Sequence, residues 1–111
     1  MHFCITGQYT PQALSKMLDN PTTNRFEAAR KVVEAEGGKM IAMYGTPDDG
    51  PGVLTIFDVP EPSSAAAIVG VVVASGAIQN VKLTRLLTQE EIVGVRLKAV
   101  HLRSVYNPPG K

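Results

Sequence analysis

A chain of 111 residues has the length of one ordinary domain, and its 11 basic and 10 acidic side chains leave a formal net charge of only +1. So small a charge creates no field that would attract nucleic acid or an anionic membrane surface. The three tyrosines and three phenylalanines are scattered and do not interleave with basic residues. We therefore predict that neither nucleic acid nor a membrane is a partner.

The cysteine content and the N-terminus indicate a reducing compartment. Cys4 is the single cysteine, which excludes an intramolecular disulfide and any multi-cysteine metal site. The opening residues lack a basic segment leading into an apolar run and a small-residue cleavage site, so they are typical of a structural strand. The longest apolar run, from 65 to 78, is shorter than the ~20 residues that span a bilayer. We predict a cytoplasmic protein.

The first forty residues predict one strand and a helix in two pieces. Side chains 2–9 alternate between a more apolar and a more polar face, as in a strand with one buried face. Thr10 before Pro11 is typical of a helix start, and the Asn-Pro pair at 20–21 ends that helix. A second piece, with a capping box at its start, is predicted from Asn24 to Gly37.

A hairpin is predicted in the middle of the chain. Residues 39–44 and 53–59 are typical of strands, and the proline, aspartate and glycine residues between them suit a turn. Because 47–52 is longer than a two-residue turn, we predict that it protrudes as a flap.

The segment 65–75 fits either a strand or a helix, since its valines favour a strand while its alanine-rich start and its length favour a helix. We predict a helix, capped by Ser63 or Ser64. A strand is predicted at 79–87, and the capping box at 88–91 begins a last helix.

In order, these elements are β-α-β-β-α-β with a terminal helix. The predicted fold class is α+β, a ferredoxin-like antiparallel sheet with helices on one face and an extra C-terminal helix. We predict one domain at 1–103 and a flexible tail at 104–111. The bare sheet face predicts a homo-oligomer, because such a face in a small chain finds a partner or a ligand.

Several segments together resemble the GYD domain family, small proteins of the dimeric α/β-barrel group. They are GQYTPQALSKML, the EGGK turn, MIAMYGT, PEPSSAAAI, SGAIQNVKLTRLLT and TQEEI, and the resemblance covers about residues 3–99. The Gly-Tyr-Asp triplet that names the family is absent, and DDGPGV stands there instead. No residue of the triplet is therefore carried over, and the role of the altered loop at 48–52 stays open.

The resemblance implies a ferredoxin-like protomer that pairs sheet to sheet, an arrangement that can close a barrel. The wider group includes cofactor-free monooxygenases, haem-degrading enzymes, lactone isomerases and dehydratases, which work in cavities between helices and sheet or between protomers. This range of activities does not select one for the chain.

The residues predicted to line a mostly apolar ligand pocket are Thr6, Gln8, Tyr9, Tyr44 and Arg85. Tyr9 and Tyr44 end strands, where a phenol can donate a hydrogen bond to a ligand carbonyl; aromatic packing at a strand end is the alternative. Arg85 shares a strand face with apolar residues, so it requires a partner, either a ligand or Asp58.

Candidate catalytic residues are His2 and Tyr9. His2 and His101 are the two imidazoles, but a solvated terminus is the commoner interpretation of His2, and His101 lies near the end of a helix. Cys4 is typical of a small buried hydrophobe, and Asp48 with Asp49 is typical of a turn. The sequence calls for no metal and no cofactor.

Three functions follow as hypotheses. The first is an oligomer that binds a small apolar or carbonyl-containing molecule. The second is a cofactor-independent isomerase, dehydratase or monooxygenase that acts on a small carbonyl or aromatic compound. The third is a purely structural assembly protein.

Overall fold

The computed structural model describes residues 1–110, and its elements follow the predicted order. The strands are β1 (His2–Tyr9), β2 (Lys39–Thr46), β3 (Gly52–Asp58) and β4 (Ile78–Leu86). The helices are α1 (Pro11–Asp19), α2 (Arg25–Ala35), α3 (Pro62–Ala74) and α4 (Gln89–Arg103). Lys111, the last residue of the predicted tail, lies outside the described residues.

The four strands form one antiparallel sheet in the order β2-β3-β1-β4. This order places β1 and β3 in the centre and confirms the ferredoxin-like α+β fold. Two irregularities interrupt the ladders, one between Met40 and Ala42 in β2 and one opposite Gly7 in β1. The first of them reverses which side chains of β2 face the helices.

The helix starts match the sequence signals in the first half of the chain. The Thr10 hydroxyl accepts a hydrogen bond from the Ala13 N–H at 3.2 Å, and the Asn24 side chain accepts one from the Glu27 N–H at 3.1 Å. The Glu27 carboxylate does not complete a capping box, because it pairs with the Arg30 guanidinium one turn further along α2.

The start of α3 differs from the prediction. The helix begins at Pro62, a favoured first-turn residue, and the preceding Glu61 provides no side-chain cap. Ser64 is buried inside the first turn, so neither predicted serine stands at the cap position. The helical interpretation of 65–75 is confirmed, since its valines and alanines lie within α3.

The core lies between the sheet and the helices α2 and α3. Phe57 and Val33 are almost fully buried, and the rings of Phe3 and Phe57 stack with their centroids 6.0 Å apart. Helix α2 packs mainly on β2, whereas α3 packs mainly on β4. The two helices therefore leave a gap above the central strands.

The loop between β2 and β3 is exposed but tied to the end of β1. The Gln8 side-chain amide donates to the Asp49 carbonyl, and the Tyr9 N–H donates to the Pro51 carbonyl at 2.9 Å. The predicted flap at 47–52 is thus an exposed loop that side-chain and backbone hydrogen bonds of β1 hold in place.

Helix α4 begins at the predicted capping box. The Thr88 N–H donates to the Glu91 carboxylate at 3.1 Å, and the Glu91 N–H donates to the Thr88 hydroxyl at 3.2 Å. The Arg85 guanidinium of β4 donates to the other Glu91 carboxylate oxygen at 2.5 Å. These contacts fix the start of the helix against the sheet, while none of its residues is buried.

Replacing Glu91 by glutamine is expected to remove a pH-dependent part of the stability. The Thr88 N–H first, and the Arg85 guanidinium second, hold the pKa of Glu91 below its ordinary value of 4.5. Since the folded state binds this proton less readily, the contribution is complete above that value and is lost as the pH falls through the lowered pKa. The difference in unfolding free energy between the wild type and Glu91→Gln should therefore shrink between about pH 6 and about pH 3.

Denaturant titrations over that pH range measure this difference, with Glu90→Gln at the adjacent position as the control. A difference that stays constant with pH would show that the contacts of Glu91 do not favour its charged form.

Within residues 1–110, no helix combines the length and the apolar character that crossing a membrane requires.

Candidate functional site

The gap between α2 and α3 forms an apolar cleft of about 220 Å³, which we call the helix-side cleft. Small side chains on α2, Ala28 and Ala29, keep it open above the central strands. Its floor consists of Ile5, Val53, Thr55 and Phe57. Its walls consist of Ala28, Ala29, Val32, Ile68, Val71 and Val72.

A second, more polar cavity of about 270 Å³ lies at one end of the cleft, between α1 and the start of α2; we call it the mouth. Lys16, Asn20 and Thr23 line the mouth only, whereas Tyr9 and Arg25 line both cavities. Tyr9 and Arg25 therefore stand where the apolar cleft meets its polar entrance.

The mouth carries positive charge. Arg25 is the first residue of α2, where the helix dipole is also positive, and Lys16 comes from α1. The ion pairs within residues 1–110 involve the N-terminus, Arg30 and Arg85, so Arg25 and Lys16 have no carboxylate partner there. An acidic ligand group at the mouth would meet two uncompensated cations.

Backbone contacts fix Tyr9 in this position. Its N–H donates to the Pro51 carbonyl, and the next residue, Thr10, donates through its N–H to the Ala77 carbonyl at 3.0 Å. The Thr10 hydroxyl donates to the Gly76 carbonyl at 2.8 Å. The end of β1 is thus held between the β2–β3 loop and the turn that precedes β4.

The polar groups of the cleft differ in their availability. The Ser75 hydroxyl donates to the Val72 carbonyl at 2.6 Å and accepts from the Ala77 N–H at 3.2 Å, so it is engaged at the end of α3. Thr55 is 9% exposed and brings a hydroxyl to the otherwise apolar floor. The side chains of Tyr9, Arg25 and Thr55 are therefore the polar groups that can form hydrogen bonds with a ligand.

The predicted pocket residues divide between the two faces of the sheet. In β1, Phe3 and Ile5 are buried beneath the helices, so the even-numbered side chains, including Thr6 and Gln8, face the opposite side. We call that side the open face; it also presents the side chains that pair with them in the neighbouring strands, among them Leu54, Ile56, Lys82, Thr84 and Leu86.

Tyr44 belongs to the open face as well. It pairs with Leu54 of β3 and is 64% exposed, whereas Tyr9 lines the helix-side cleft. The structure therefore does not bring Tyr9 and Tyr44 to one pocket. Gln8 is engaged, since its carbonyl oxygen accepts from the Asn80 side chain at 2.8 Å.

Arg85 faces the helix side, where its carboxylate partner is Glu91 and not Asp58. It contacts Glu91 and donates to the backbone carbonyl of His2 at 3.3 Å, and its guanidinium lies 5.5 Å from the centroid of the Phe3 ring. Asp58 instead accepts from the N-terminal ammonium at 2.7 Å. Arg85 therefore links β4 to the start of α4.

The remaining chemical candidates lie outside the cleft. His2 and Cys4 are on the open face, and burial raises the pKa of the Cys4 thiol, which keeps it protonated. His101 is exposed on α4. Among residues 1–110, no three His, Cys, Asp or Glu side chains are grouped closely enough to hold a metal ion.

Comparison with protein families gives a match to the GYD domain over residues 3–97. The chain belongs to the GYD domain family. Curated proteins give no match to this GYD domain.

A solved structure with a similar fold is 5-chloro-2-hydroxyhydroquinone dehydrochlorinase from Burkholderia phenoliruptrix AC1100, in complex with 2,5-dihydroxybenzoquinone. The identity is 17% and the TM-score is 0.55, and the match covers 81% of this chain and 97% of that chain. At this identity the likeness shows the fold.

Sequence reasoning missed Arg25, Thr55 and Lys16, which line the two cavities of this GYD domain. Thr55 carried a usable signal, because it is the polar residue between Val53 and Phe57 on the buried face of β3. Arg25 carried a weaker one, as a cation in the first turn of a helix, where acidic residues are favoured. Lys16 looked like any other charged residue on an exposed helix face.

Proposed function

We propose that this GYD domain binds a small molecule whose apolar body lies in the helix-side cleft and whose acidic or carbonyl oxygen lies at the mouth. The observation that carries the proposal is the position of Tyr9 and Arg25, which line both the apolar cleft and the polar mouth. A largely apolar cavity with a few convergent polar groups is the usual form of a small-molecule site.

The apolar lining supports a ligand with a ring or a short hydrocarbon body. Val71, at one wall, is 61% exposed although it belongs to a helix that packs on the sheet. Covering such surface stabilises a complex by about 25 cal/mol per Å² removed from water. A flat ring can reach the cleft floor while leaving an edge oxygen near Tyr9.

The charge at the mouth supports an oxygen-bearing end group. A guanidinium can donate two parallel hydrogen bonds to a carboxylate or to a pair of neighbouring oxygens, and the Tyr9 hydroxyl can donate a third. The 2,5-dihydroxybenzoquinone bound by the dehydrochlorinase combines a ring with carbonyl and acidic hydroxyl oxygens, so it suits this proposal as a probe.

Titration of 2,5-dihydroxybenzoquinone into the protein, followed by calorimetry, tests the proposal. Arg25→Gln removes a charged donor and is expected to weaken binding about 10- to 100-fold. Tyr9→Phe removes a neutral donor and is expected to weaken it about 3- to 10-fold. The two effects differ because hydrogen bonds to a charged group are stronger than neutral ones.

Matched controls are available on the other surfaces. Tyr44→Phe makes the same change on the open face, and Arg96→Gln removes an exposed arginine of α4. Both should bind the probe like the wild type. Absence of binding to the probe and to simple aromatic carboxylates, or equal losses in Tyr9→Phe and Tyr44→Phe, would contradict the proposed site.

Association of copies through the open face is part of the same proposal. Leu54, Ile56 and Leu86 are half-buried there, and neither α2 nor α3 covers them. The free Cys4 thiol on this face suits a reducing cytoplasm as the place of action.

A cofactor-independent enzyme is the second candidate, favoured by the Tyr9 phenol in the cleft. Such a group can hold or move a proton on a bound carbonyl compound. If turnover of hydroxyquinones is detected, Tyr9→Phe should abolish the rate while the probe still binds. Turnover that is unchanged in Tyr9→Phe would exclude Tyr9 as the proton donor.

A further inference from the structure

The floor of the helix-side cleft carries a hydroxyl group at Thr55. The nearest neighbours of Thr55 on the helix side of the sheet are apolar: Ile5 and Met43 across the ladders, and Val53 and Phe57 along β3. Thr55 is itself almost completely buried. Its hydroxyl is therefore an isolated polar group in apolar surroundings.

The Thr55 hydroxyl is available to a ligand. Within residues 1–110 it makes no hydrogen bond with a side chain or a backbone group. Among the buried and half-buried residues of that part of the chain, no side-chain nitrogen or oxygen is both enclosed and without a partner. The unpaired Thr55 oxygen must therefore touch the cleft rather than be sealed beneath it.

Thr55 and Tyr9 lie at opposite ends of the space that a ring would occupy. Thr55 pairs with Ile5, and Tyr9 follows Ile5 by four residues in β1. At about 3.3 Å per residue, the two backbone positions are about 13 Å apart along the strand. A six-membered ring with oxygens on two opposite edges, extended by a hydrogen bond of about 2.8 Å at each end, is of comparable length.

The volume of the cleft also suits a single ring. A cavity of about 150 Å³ accommodates benzene. The cleft has a volume of about 220 Å³. The difference leaves room for substituents on both edges of one ring.

The surroundings of Thr55 are unsuited to a charged group at the inner end of the cleft. Its apolar neighbours offer neither a hydrogen bond nor an opposite charge, and the cations Arg25 and Lys16 lie at the mouth. Burial of an unpaired charge costs far more than burial of a hydroxyl or carbonyl that is hydrogen-bonded. A ligand oxygen at Thr55 must therefore be neutral.

We propose that Thr55 determines the ligand class of the cleft: a single ring with an acidic group on one edge and a neutral oxygen on the opposite edge. The acidic group binds at Arg25 and Tyr9. The Thr55 hydroxyl accepts a hydrogen bond from a ligand phenol or donates one to a ligand carbonyl. The inference rests on the proposed function, because it concerns the same cleft, and it adds the inner end of the ligand.

Calorimetric titration of the wild type and Thr55→Val with 4-hydroxybenzoate and 4-methylbenzoate tests the inference. The two ligands are similar in size and share the carboxylate, and valine keeps the branched shape of threonine. The wild type should bind 4-hydroxybenzoate about 10-fold more tightly, because 4-methylbenzoate leaves the Thr55 hydroxyl buried without a partner. In Thr55→Val the preference should reverse by about 3- to 10-fold, because the ligand hydroxyl then lacks a partner.

Two further variants separate the ends of the ligand. Thr84→Val makes the same change at an exposed position on the open face and should keep the preference of the wild type. Arg25→Gln should weaken both compounds equally, because it acts on the carboxylate that they share. If Arg25→Gln does so while Thr55→Val keeps the preference of the wild type, the mouth stands as the binding site and the role of Thr55 is refuted.

Terephthalate tests the neutrality of the inner end, because it places a second carboxylate there. It should bind at least about tenfold more weakly than 4-hydroxybenzoate. Equally tight binding would overturn the placement of the inner oxygen among apolar side chains. Failure of the wild type to bind either 4-substituted benzoate overturns this inference, and failure to bind 2,5-dihydroxybenzoquinone as well overturns the proposed function.

Discussion

Replacing Phe57 by alanine should lower the free energy of unfolding by about 3–5 kcal/mol, the range found for buried aromatic residues. Phe57 has no exposed surface, stacks on Phe3 and pairs with Met40 across the β2–β3 ladder. Its ring also forms part of the cleft floor, so its removal extends the cleft into the core. Because small domains are stable by about 5–15 kcal/mol, this loss is a large share of the total.

Urea unfolding followed by circular dichroism measures the loss, with Phe26→Ala as the matched control. Phe26 lies on α2 and is 37% exposed, so the same truncation there should cost less than half as much. Equal losses at the two positions would mean that the packing around Phe57 can collapse into the vacated space.

Replacing Gly52 by alanine is expected to destabilise the protein by about 2–3 kcal/mol, because the added methyl overlaps atoms that cannot move freely. A Cβ at Gly52 would overlap the Gly7 carbonyl oxygen and lie 2.8 Å from the Thr46 hydroxyl oxygen. Gly52 pairs with Gln8 of β1, so relief of the overlap would displace the strand end that carries Tyr9. Probe binding in the cleft should weaken together with the stability.

Gly45 provides the control in the neighbouring strand, since a Cβ there meets nothing within 4 Å. Gly45→Ala should leave the unfolding free energy unchanged or raise it by about 0.5 kcal/mol, because alanine has less chain entropy to lose. Thermal and denaturant unfolding of both variants measure the two changes in unfolding free energy. A tolerated Gly52→Ala would show that β1 and β3 can separate locally without loss of the sheet.

The elements of the fold could be predicted because local signals were strong. The alternation in β1, the caps at Thr10 and Asn24 and the capping box at 88–91 depend on interactions between near neighbours in sequence. The start of α3 was displaced because Pro62 already has the backbone angle of a first turn, which makes a serine cap unnecessary.

The face of Tyr44 could not be predicted, because it depends on a bulge without a sequence signature. In a regular strand, Tyr44 would lie on the same buried side as Met40, because the two residues are four positions apart and side chains alternate between the two faces. The extra residue, Ile41, shifts the pairing so that Ala42 opposes Ile56 and Tyr44 opposes Leu54. One inserted residue thus moves the phenol from the helix side to the open face.

The cleft and the exposure of α4 depend on distant packing. The gap beneath α2 and α3 exists because each helix packs on a different outer strand, and no periodicity in either helix reports which strand it will contact. The apolar pattern of α4 predicted a helix, but an apolar helix usually folds back onto its own domain. Its exposure is visible only in three dimensions.

Successive side chains of β1 face opposite sides of the sheet, so neighbouring positions of this strand can be substituted with separate effects. Ile5 faces the cleft while Cys4 and Thr6 face the open side, so adjacent positions act on different surfaces. Substitutions on opposite sides of a strand that share no contacts should be nearly additive in free energy. The proposed ligand site and the proposed association surface could therefore change independently, through adjacent residues of the same strand.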